Sequence, residues 1–527
     1  MLATLLSATL VALEGRVIRV EVDVAPGLPG FTIVGLGDAS IREARERVRG
    51  ALRNSGFIHP PRRITVNLAP ADVPKTGSSA DLAIAVGILV GSEQFTARAG
   101  RAALIGEVSL GGEIRTVPGL LPMVAALARR GVRRVIVPAD GEDEARLVSG
   151  LEIVPVTTVG DAVAVLRSRR RAGPMQPARV ELAPVPAAGE RSEASDGIRG
   201  PQLAAAIPPP DLADVRGQVE ARRALEVALA GGHGLLMIGP PGTGKTMLAR
   251  TIPGLLPELS DEESLAATIV ASVSGEGPIR GLIRRPPFRA PHHTSSYAAI
   301  VGGGRGLIPG EVTRADSGVL FLDELTEFSR DVLEALRQPL EDGRVTIVRA
   351  SGAATLPARF QLVAATNPCP CGHAGEEGRC SCAHGVPERY VGRISGPLRD
   401  RIDVWVSLVR MRAEAMVAMV EPEASVVVAA RIAEARTRQR ARPGGRLNAR
   451  VSGRALRALA ALRPETSAAL ADLANAELLS GRGTERLLRV ARTIADLDAS
   501  VAVEIEHLEE AARWRPPSVR PALALAV

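Results

Sequence analysis

The sequence of 527 residues is poor in aromatic side chains and in lysine. Phe, Trp and Tyr together make up 2% of it, which argues against a surface that stacks successive nucleic-acid bases on aromatic rings. Of its 65 basic residues only two, Lys75 and Lys245, are lysines. Arginine therefore stands almost wherever a plain positive charge is enough, and a lysine that persists points to a need for its compact ammonium group.

Long apolar runs are also absent. No uninterrupted apolar stretch approaches the roughly 18 residues that a membrane span requires, and the apolar start, residues 1–13, lacks the basic flank of a signal peptide. We therefore expect a cytoplasmic protein without a membrane partner. A hydrophobic content of 46% with 23% charged residues is typical of a soluble globular protein. The net charge of +7 permits a polyanionic partner such as nucleic acid.

Composition and periodicity divide the chain into several segments, as its length requires, since single domains run to roughly 100 to 200 residues. Residues 1–167 alternate β-rich runs such as 64–68 with helical stretches such as 41–54, which predicts an α/β or α+β domain. Residues 168–210 are rich in Pro, Ala, Arg, Glu and Gly without periodicity, which predicts a flexible linker.

The second half of the chain has two different patterns. Strands and helices alternate over 211–408, as a parallel sheet requires. Helical periodicity dominates 409–527 and predicts an all-α lid. The predicted fold is therefore a multidomain α/β protein with a parallel-sheet core.

A glycine-rich run follows the apolar strand predicted at 234–238. Its members are Gly239, Pro240, Pro241, Gly242, Thr243, Gly244, Lys245 and Thr246. The glycines let successive backbone N–H groups turn toward a phosphate, while Lys245 reaches the terminal phosphates and Thr246 can hold Mg²⁺. This phosphate loop predicts an ATP-hydrolysing enzyme.

Two further strand ends supply polar groups. The apolar strand 319–322 ends in Asp323 and Glu324, the arrangement of a Walker B motif, in which Asp323 would hold Mg²⁺ and Glu324 would polarise the attacking water. A third strand, 360–365, leads to Asn367, whose amide could orient that water. The alternative for the acidic pair is a helix cap, and for Asn367 a turn residue.

These motifs, the stretch 394–403 and the helical C-terminal part resemble the YifB/ComM family of magnesium-chelatase-like AAA+ ATPases over nearly the whole chain. The resemblance implies that Arg401 is an arginine finger acting on ATP bound by a neighbouring subunit. It implies that Arg489 is the sensor arginine of the lid, with Arg486 as its substitute. Because a finger supplied in trans makes hydrolysis depend on assembly, the resemblance implies a homo-oligomeric ring, and in particular a hexamer. The alternative for each arginine is a surface ion pair.

Two segments are candidates for contact with DNA. Residues 344–349 and 353–356 flank a turn and predict a β-hairpin. In related AAA+ proteins a hairpin at this place points into the central pore, so Arg349 near its tip is the first candidate DNA contact, with an exposed hairpin charge as the alternative.

The second segment, 275–310, carries basic side chains among prolines and glycines, which predicts a pore-facing loop rather than a core element. The side chains are Arg280, Arg284, Arg285, Arg289, His292 and His293. Arg289 is the second tentative DNA contact. Metal binding by the adjacent histidines is the less favoured alternative, because no acid or cysteine lies near them in the loop.

All four cysteines fall in one short segment that begins two residues after Asn367. They are Cys369, Cys371, Cys380 and Cys382. A cytoplasmic protein rarely keeps disulfides, and four thiolates in two pairs can form a closed tetrahedral Zn²⁺ site, although the C-x-C spacing is tighter than the commoner C-x₂-C. The alternative is four reduced thiols, with His373 or His384 as a replacement ligand.

Residues 74–81, the apolar helix after them and residues 106–114 resemble the proteolytic domain of Lon. Ser79 falls at the nucleophile position. The stretch that should supply a lysine base, 119–123, contains none, and Lys75 lies in the wrong segment for that role. We expect a Lon-protease-like α+β domain without protease activity, serving assembly or partner binding.

The leading hypothesis is an ATP-driven ring motor on DNA. The resemblance implies helicase or branch-migration activity on recombination intermediates, including those of natural transformation, with recombination proteins as partners. A chelatase ATPase subunit that drives metal insertion is the first alternative, although it leaves the Lon-like domain unused. An ATP-binding regulatory scaffold is the second, and the presence of Glu324 and Arg401 disfavours it.

Overall fold

A computed structural model describes residues 1–35, 38–97, 102–168, 208–303, 307–349, 352–376, 378–410 and 422–515. Almost all of the linker predicted at 168–210 lies outside these residues, as do 411–421 and 516–527 of the predicted lid. Among the helices in the described ranges, none combines the length and the apolar character needed to cross a membrane.

The N-terminal part is built on one mixed sheet. The strands of the N-terminal part are β1 (Leu2–Val11), β2 (Glu14–Ala25), β3 (Gly30–Val34), β4 (Arg63–Ala69), β5 (Ala102–Leu104), β6 (Glu107–Val108), β7 (Ile114–Arg115), β8 (Arg134–Pro138) and β9 (Glu152–Val156). Seven of them form a sheet in the order β3-β4-β2-β1-β5-β8-β9, and β6 pairs with β7. The β1–β2 and β2–β4 pairs are antiparallel, whereas β1–β5, β5–β8 and β8–β9 are parallel.

Five helices accompany this sheet: α1 (Ala39–Asn54), α2 (Asp81–Gly91), α3 (Leu120–Arg129), α4 (Glu142–Ala145) and α5 (Val159–Arg167). The predictions of a helix at 41–54 and a strand at 64–68 are confirmed within two residues at each end. Helix α2 is buried because it packs on β1 and β2. Gly87 permits this close approach, since a Cβ there would lie 2.5 Å from Cγ2 of Val22.

The central part contains a parallel sheet. The strands of the central part are β10 (Leu235–Ile238), β11 (Phe288–Arg289), β12 (Gly302–Gly303), β13 (Ile308–Pro309), β14 (Val319–Leu322), β15 (Arg344–Arg349), β16 (Gly352–Pro357), β17 (Gln361–Thr366) and β18 (Val404–Ser407). The sheet has the order β11-β14-β17-β10-β18, with every neighbouring pair parallel. Strands β14 and β17 are buried along their whole length, which explains the apolar runs at 319–322 and 362–365.

Short helices connect these strands: α6 (Val219–Gly231), α7 (Lys245–Arg250), α8 (Ile252–Leu255), α9 (Asp261–Ser274), α10 (Tyr297–Val301), α11 (Glu311–Arg314), α12 (Arg330–Ala335), α13 (Arg337–Asp342), α14 (Val386–Val391) and α15 (Gly396–Arg399). The hairpin predicted from residue 344 is confirmed, because β15 and β16 pair antiparallel from Arg344 opposite Pro357 to Arg349 opposite Gly352.

The expectation that 275–310 holds no core element is wrong. Strand β11 is the edge strand of the parallel sheet, and Phe288 stacks on Phe321 with ring centroids 6.1 Å apart. Ile300 and Val301 of α10 are buried in a hydrophobic cluster with residues of β14. The many prolines and glycines concealed two short elements that tertiary packing stabilises.

Helices dominate the C-terminal part: α16 (Ser425–Arg440), α17 (Gly453–Ala460), α18 (Pro464–Ala476), α19 (Gly481–Leu497) and α20 (Ile505–Arg513). Within residues 422–515 the structure shows no strand. The buried faces of α16 and α19 share one hydrophobic cluster with α6 and β10. The helices are therefore docked on the sheet rather than separate from it.

The N-terminal part packs directly on the central part. Ala271 and Ile279, which lie in and just after α9, share a hydrophobic cluster with Leu120 and Leu121 of α3. The carboxylate of Glu144 accepts hydrogen bonds from Ser272 Oγ at 2.5 Å and from the Leu121 amide at 2.8 Å. Burial raises the pKa of Glu144. The contact thus combines apolar side chains with hydrogen bonds to one buried carboxylate.

Candidate nucleotide site

The phosphate loop lies at the carboxyl edge of the parallel sheet, between β10 and α7. The Gly239 amide donates to the Thr366 carbonyl at 3.2 Å, which ties the start of the loop to β17. Gly242 and Gly244 have φ values of 78° and 91°. A side chain would be strained at both positions, so this backbone path requires glycine.

Lys245 is buried beneath this loop. Its ammonium donates to the carbonyls of Gly239 and Pro240, at 2.5 and 2.9 Å, and to Asn367 Oδ1 at 3.2 Å. Burial lowers the pKa of Lys245, while the charges of Asp323 and Glu324 oppose that shift. The structure therefore brings together the lysine and the asparagine that the sequence placed on separate strand ends.

Thr246 and Asp323 are in direct contact. The hydroxyl of Thr246 donates to Asp323 Oδ2 at 2.7 Å, and Asp323 Oδ1 accepts from the Glu324 amide at 3.0 Å. A hydroxyl and a carboxylate are the oxygen ligands that Mg²⁺ takes in nucleotide sites. The residues present thus fit the predicted magnesium ion.

Glu324 has a partner that sequence reasoning missed. Its carboxylate Oε2 lies 2.8 Å from His293 Nδ1, and about half of the Glu324 side chain is exposed. Glu324 also has a φ of 53°, a strained value for a residue with a side chain. The missed signal was β11: a short strand parallel to β14 delivers the residues after it to the same edge of the sheet.

Arg401 lies at the opposite edge. Its carbonyl approaches Gly234, which precedes β10, whereas the phosphate loop follows β10. The ends of a four-residue strand are about 13 Å apart. Arg401 donates to the Pro397 carbonyl at 2.6 Å and to Glu341. This ion pair lowers the pKa of Glu341.

The two arginines of α19 lie beside the same edge. Arg489 donates to Asp403 Oδ1 at 3.3 Å, and Arg486 donates to Asp400 Oδ1 at 3.2 Å. Asp403 directly precedes β18. Neither guanidinium is therefore on the side of the sheet that carries Lys245 of the same chain.

The structure places the two candidate DNA contacts differently. Arg289 is held between acids, with Nε 2.7 Å from Glu311 Oε2 and Nη1 3.0 Å from Glu276 Oε1. Arg349 ends β15 opposite Gly352 of β16, but its side chain lies outside the described part of the structure. These ion pairs occupy the guanidinium group of Arg289 and compete with its contact to a DNA phosphate.

The four cysteines converge. Their sulfur atoms all lie within 4.8 Å of one another. The amide of Ala374 donates to Cys369 Sγ at 3.2 Å. A backbone hydrogen bond from His373 is the largest cause that lowers the pKa of Cys371, to about 5. Such an N–H donor stabilises the thiolate, the form in which cysteine binds a metal. The pKa values of Cys380 and Cys382 are raised, because a backbone hydrogen bond that lowers each is outweighed by burial and the neighbouring thiols.

The side chains of Ser79 and Lys75 each donate a hydrogen bond to a backbone carbonyl and not to each other. Ser79 Oγ donates to the Ala8 carbonyl at 2.8 Å, and the Lys75 ammonium donates to the Pro70 carbonyl. Both side chains are buried, and burial lowers the pKa of Lys75. The serine is thus tied to the backbone.

Comparison with known proteins shows the family of the chain. The family profile described as magnesium chelatase, subunit ChlI, matches residues 211–416, and two related profiles match 20–141 (subunit ChlI of Mg-chelatase) and 422–515 (subunit ChlI, C-terminal). The uncharacterized protein YifB of Escherichia coli is 42% identical over 502 residues, 94% of each chain. The chain belongs to the YifB/ComM family of magnesium-chelatase-like AAA+ proteins.

Another relative in this family carries a functional name. The competence protein ComM of Haemophilus influenzae is 39% identical over 518 residues, which is 98% of this chain and 97% of ComM. A shorter similarity reaches outside the family: the Lon protease of Azospirillum brasilense is 29% identical over 161 residues, 28% of this chain and 20% of Lon. The YifB/ComM proteins therefore match nearly the whole chain, and Lon only a part of it.

Proposed function

We propose that this YifB/ComM protein hydrolyses ATP at sites shared between the subunits of a ring. The observation that carries the proposal is the meeting of Lys245, Asn367, Thr246 and Asp323 at one edge of the sheet, with Arg401 at the other. One chain thus supplies a phosphate-binding edge and an arginine-bearing edge. Side-by-side packing of identical chains would bring the two together in a closed ring, and the resemblance to AAA+ proteins implies a hexamer.

Each residue has a defined task in this proposal. The turned backbone of Gly242 and Gly244 directs N–H groups at the phosphates, and Lys245 neutralises the terminal ones. Thr246 and Asp323 would hold Mg²⁺, which withdraws charge from the transferred phosphoryl group when it is bound. Glu324 accepts the proton of the attacking water, and Asn367 orients that water. Arg401 of the adjacent subunit stabilises the charge of the transition state.

The arginines of α19 belong to the same interface in this scheme. Arg489 and Arg486 lie beside the segment that carries Arg401, so we assign both to the site of the neighbour. The helices from α16 onward then act as a lid that communicates between adjacent nucleotide sites. We also propose that the domain boundaries lie at residues 167, 210 and 408. The first domain has a Lon-like fold without protease activity in this proposal.

The proposed polymer is DNA. The name of ComM connects the family with competence, and Arg349 lies at the end of β15 in the antiparallel hairpin β15–β16. We therefore propose helicase or branch-migration activity. The family descriptions also name a chelatase subunit. This second function predicts that the rate of ATP hydrolysis does not depend on DNA.

Stimulation of ATP hydrolysis by forked or four-way DNA distinguishes the two functions. We expect stimulation that weakens steeply with salt, because phosphate contacts release counterions. Arg349→Ala should reduce the stimulation and spare basal turnover, whereas Arg344→Ala, at the base of the same hairpin, is the control. Hydrolysis that is equal with and without DNA would favour the chelatase function.

The cysteine cluster is the proposed zinc site. Zn–S bonds of about 2.3 Å place the sulfurs of a regular tetrahedron about 3.8 Å apart. The observed separations are 3.3 Å from Cys369 to Cys371, 3.7 Å from Cys371 to Cys380 and 4.0 Å from Cys369 to Cys380. These three separations, and the 4.8 Å limit that includes Cys382, support the proposal of a closed four-sulfur zinc site.

A further inference from the structure

The loop that carries the cysteines has little regular structure of its own. It comprises residues 367–385, between β17 and α14, and is called the cysteine loop here. Its described residues form neither helix nor strand. Ordering such a segment costs conformational entropy. A metal that joins its two cysteine pairs would therefore decide whether the loop keeps this conformation.

The cysteine loop begins inside the nucleotide site. Asn367, its first residue, accepts a hydrogen bond from the Lys245 ammonium at 3.2 Å. Only Pro368 separates Asn367 from Cys369, which is fully buried. Anchoring Cys369 to a metal would therefore fix the amide that meets Lys245.

The cysteine loop also packs on the phosphate loop. Gly372, between Cys371 and His373, has a φ of 85°, and a Cβ built on it would lie 2.7 Å from Cδ of Pro241. The backbone of the cysteine loop thus touches the ring of a proline in the phosphate loop, at a distance that only glycine permits.

A third connection runs through Arg410. Its Nε lies 3.3 Å from Glu376 Oε1, and its Nη2 donates to the Pro241 carbonyl at 3.5 Å. Glu376 also pairs with His373 Nδ1 at 2.7 Å. The cysteine loop and the phosphate loop are therefore linked at both the ring and the carbonyl of Pro241.

We infer that the metal-bound cysteine loop forms a wall of the nucleotide site and that ATP affinity depends on its metal. The inference rests on the proposed zinc and ATP sites and adds a coupling between them. Zn²⁺ at the four sulfurs holds the cysteine loop against Pro241 and Asn367 in their present positions. Loss of the metal releases both, and the phosphate loop then spends less time in the conformation that binds ATP.

The test measures zinc per chain and the dissociation constant of a fluorescent ATP analogue on the full-length protein. Wild-type protein should hold one zinc per chain, and its removal by a chelator should weaken analogue binding about tenfold, as expected if the competent fraction falls to about a tenth. Added zinc should restore binding. Cys380→Ser with Cys382→Ser should behave like the chelated protein.

Gly372→Ala separates coupling from metal binding. It keeps all four thiols but places a methyl group against Pro241, so zinc should stay and the ATP analogue should bind several-fold more weakly. Ser381→Ala, an exposed change in the same loop that keeps all four thiols, is the control and should change neither quantity. Normal thermal unfolding of each variant shows that it has folded.

Each contrary result points to a different error. Wild-type protein without zinc after chelator-free preparation refutes the zinc site and with it the inference. Wild-type protein that does not bind the analogue refutes the ATP site. Zinc that can be removed and restored while analogue affinity stays constant overturns the coupling alone.

Discussion

Thr246 Oγ1 donates a 2.7 Å hydrogen bond to Asp323 Oδ2, across strand β17, which separates the strands that precede these two residues. The contact joins the helix after the phosphate loop to the acidic end of β14. Two hard oxygen ligands from distant parts of the sequence thus meet where a nucleotide-bound magnesium ion needs them.

Asp323→Asn should therefore reduce magnesium-dependent ATP hydrolysis more than it reduces the affinity for nucleotide. We expect ATP hydrolysis to fall by about 100-fold or more, because the variant loses the charge that holds the ion in the transition state. Steady-state turnover measured against magnesium concentration checks this. Asp331→Asn, an exposed change on α12, is the control, and equal turnover of the two variants would refute the assignment.

His293 should restrain the catalytic carboxylate. Its contact with Glu324 occupies an oxygen that must accept a proton from water. Exposed pairs of this kind contribute about 0.2 to 1 kcal/mol, so His293→Ala should raise basal turnover by up to about fivefold. His292→Ala is the matched control, since that ring bonds to Thr294. A fall in basal turnover specific to His293→Ala would show that the contact supports catalysis instead.

Glu144 should contribute to the docking of the N-terminal part. Glu144→Ala leaves the Leu121 amide and the Ser272 hydroxyl without their acceptor, and a buried unsatisfied group costs about 1 to 3 kcal/mol. A lower midpoint in urea unfolding and faster proteolysis are the expected results. Glu142→Ala, whose side chain pairs with Arg146 at the surface, should change little. Equal midpoints for the two variants would contradict the role.

Much of the nucleotide site could be predicted from sequence because its parts are local. Strands β10, β14 and β17 are short and largely apolar; β10 leads into the phosphate loop, β14 into Asp323 and β17 into Asn367. Because the strands of the sheet are parallel, their carboxyl ends lie at the same edge. The same logic predicted the hairpin β15–β16, whose two halves adjoin in the chain.

The other features depend on tertiary packing. Strand β11 has only two residues, too few for a periodic signal, so the approach of His293 to Glu324 was invisible. The ion pairs of Arg289 join residues up to 22 positions apart. The contact of Gly372 with Pro241 joins two turns, and nothing in a turn sequence specifies its partner.

Mixing subunits that carry Lys245→Ala with subunits that carry Arg401→Ala tests the shared site most directly. Each variant alone should be nearly inactive. In an equal mixture about a quarter of the interfaces join an intact phosphate loop to an intact arginine, so about a quarter of wild-type hydrolysis should return. Arg250→Ala, on the exposed face of α7, replaces Lys245→Ala in the control mixture. Activity that stays at the level of the separate variants at every mixing ratio would contradict a site shared between neighbours.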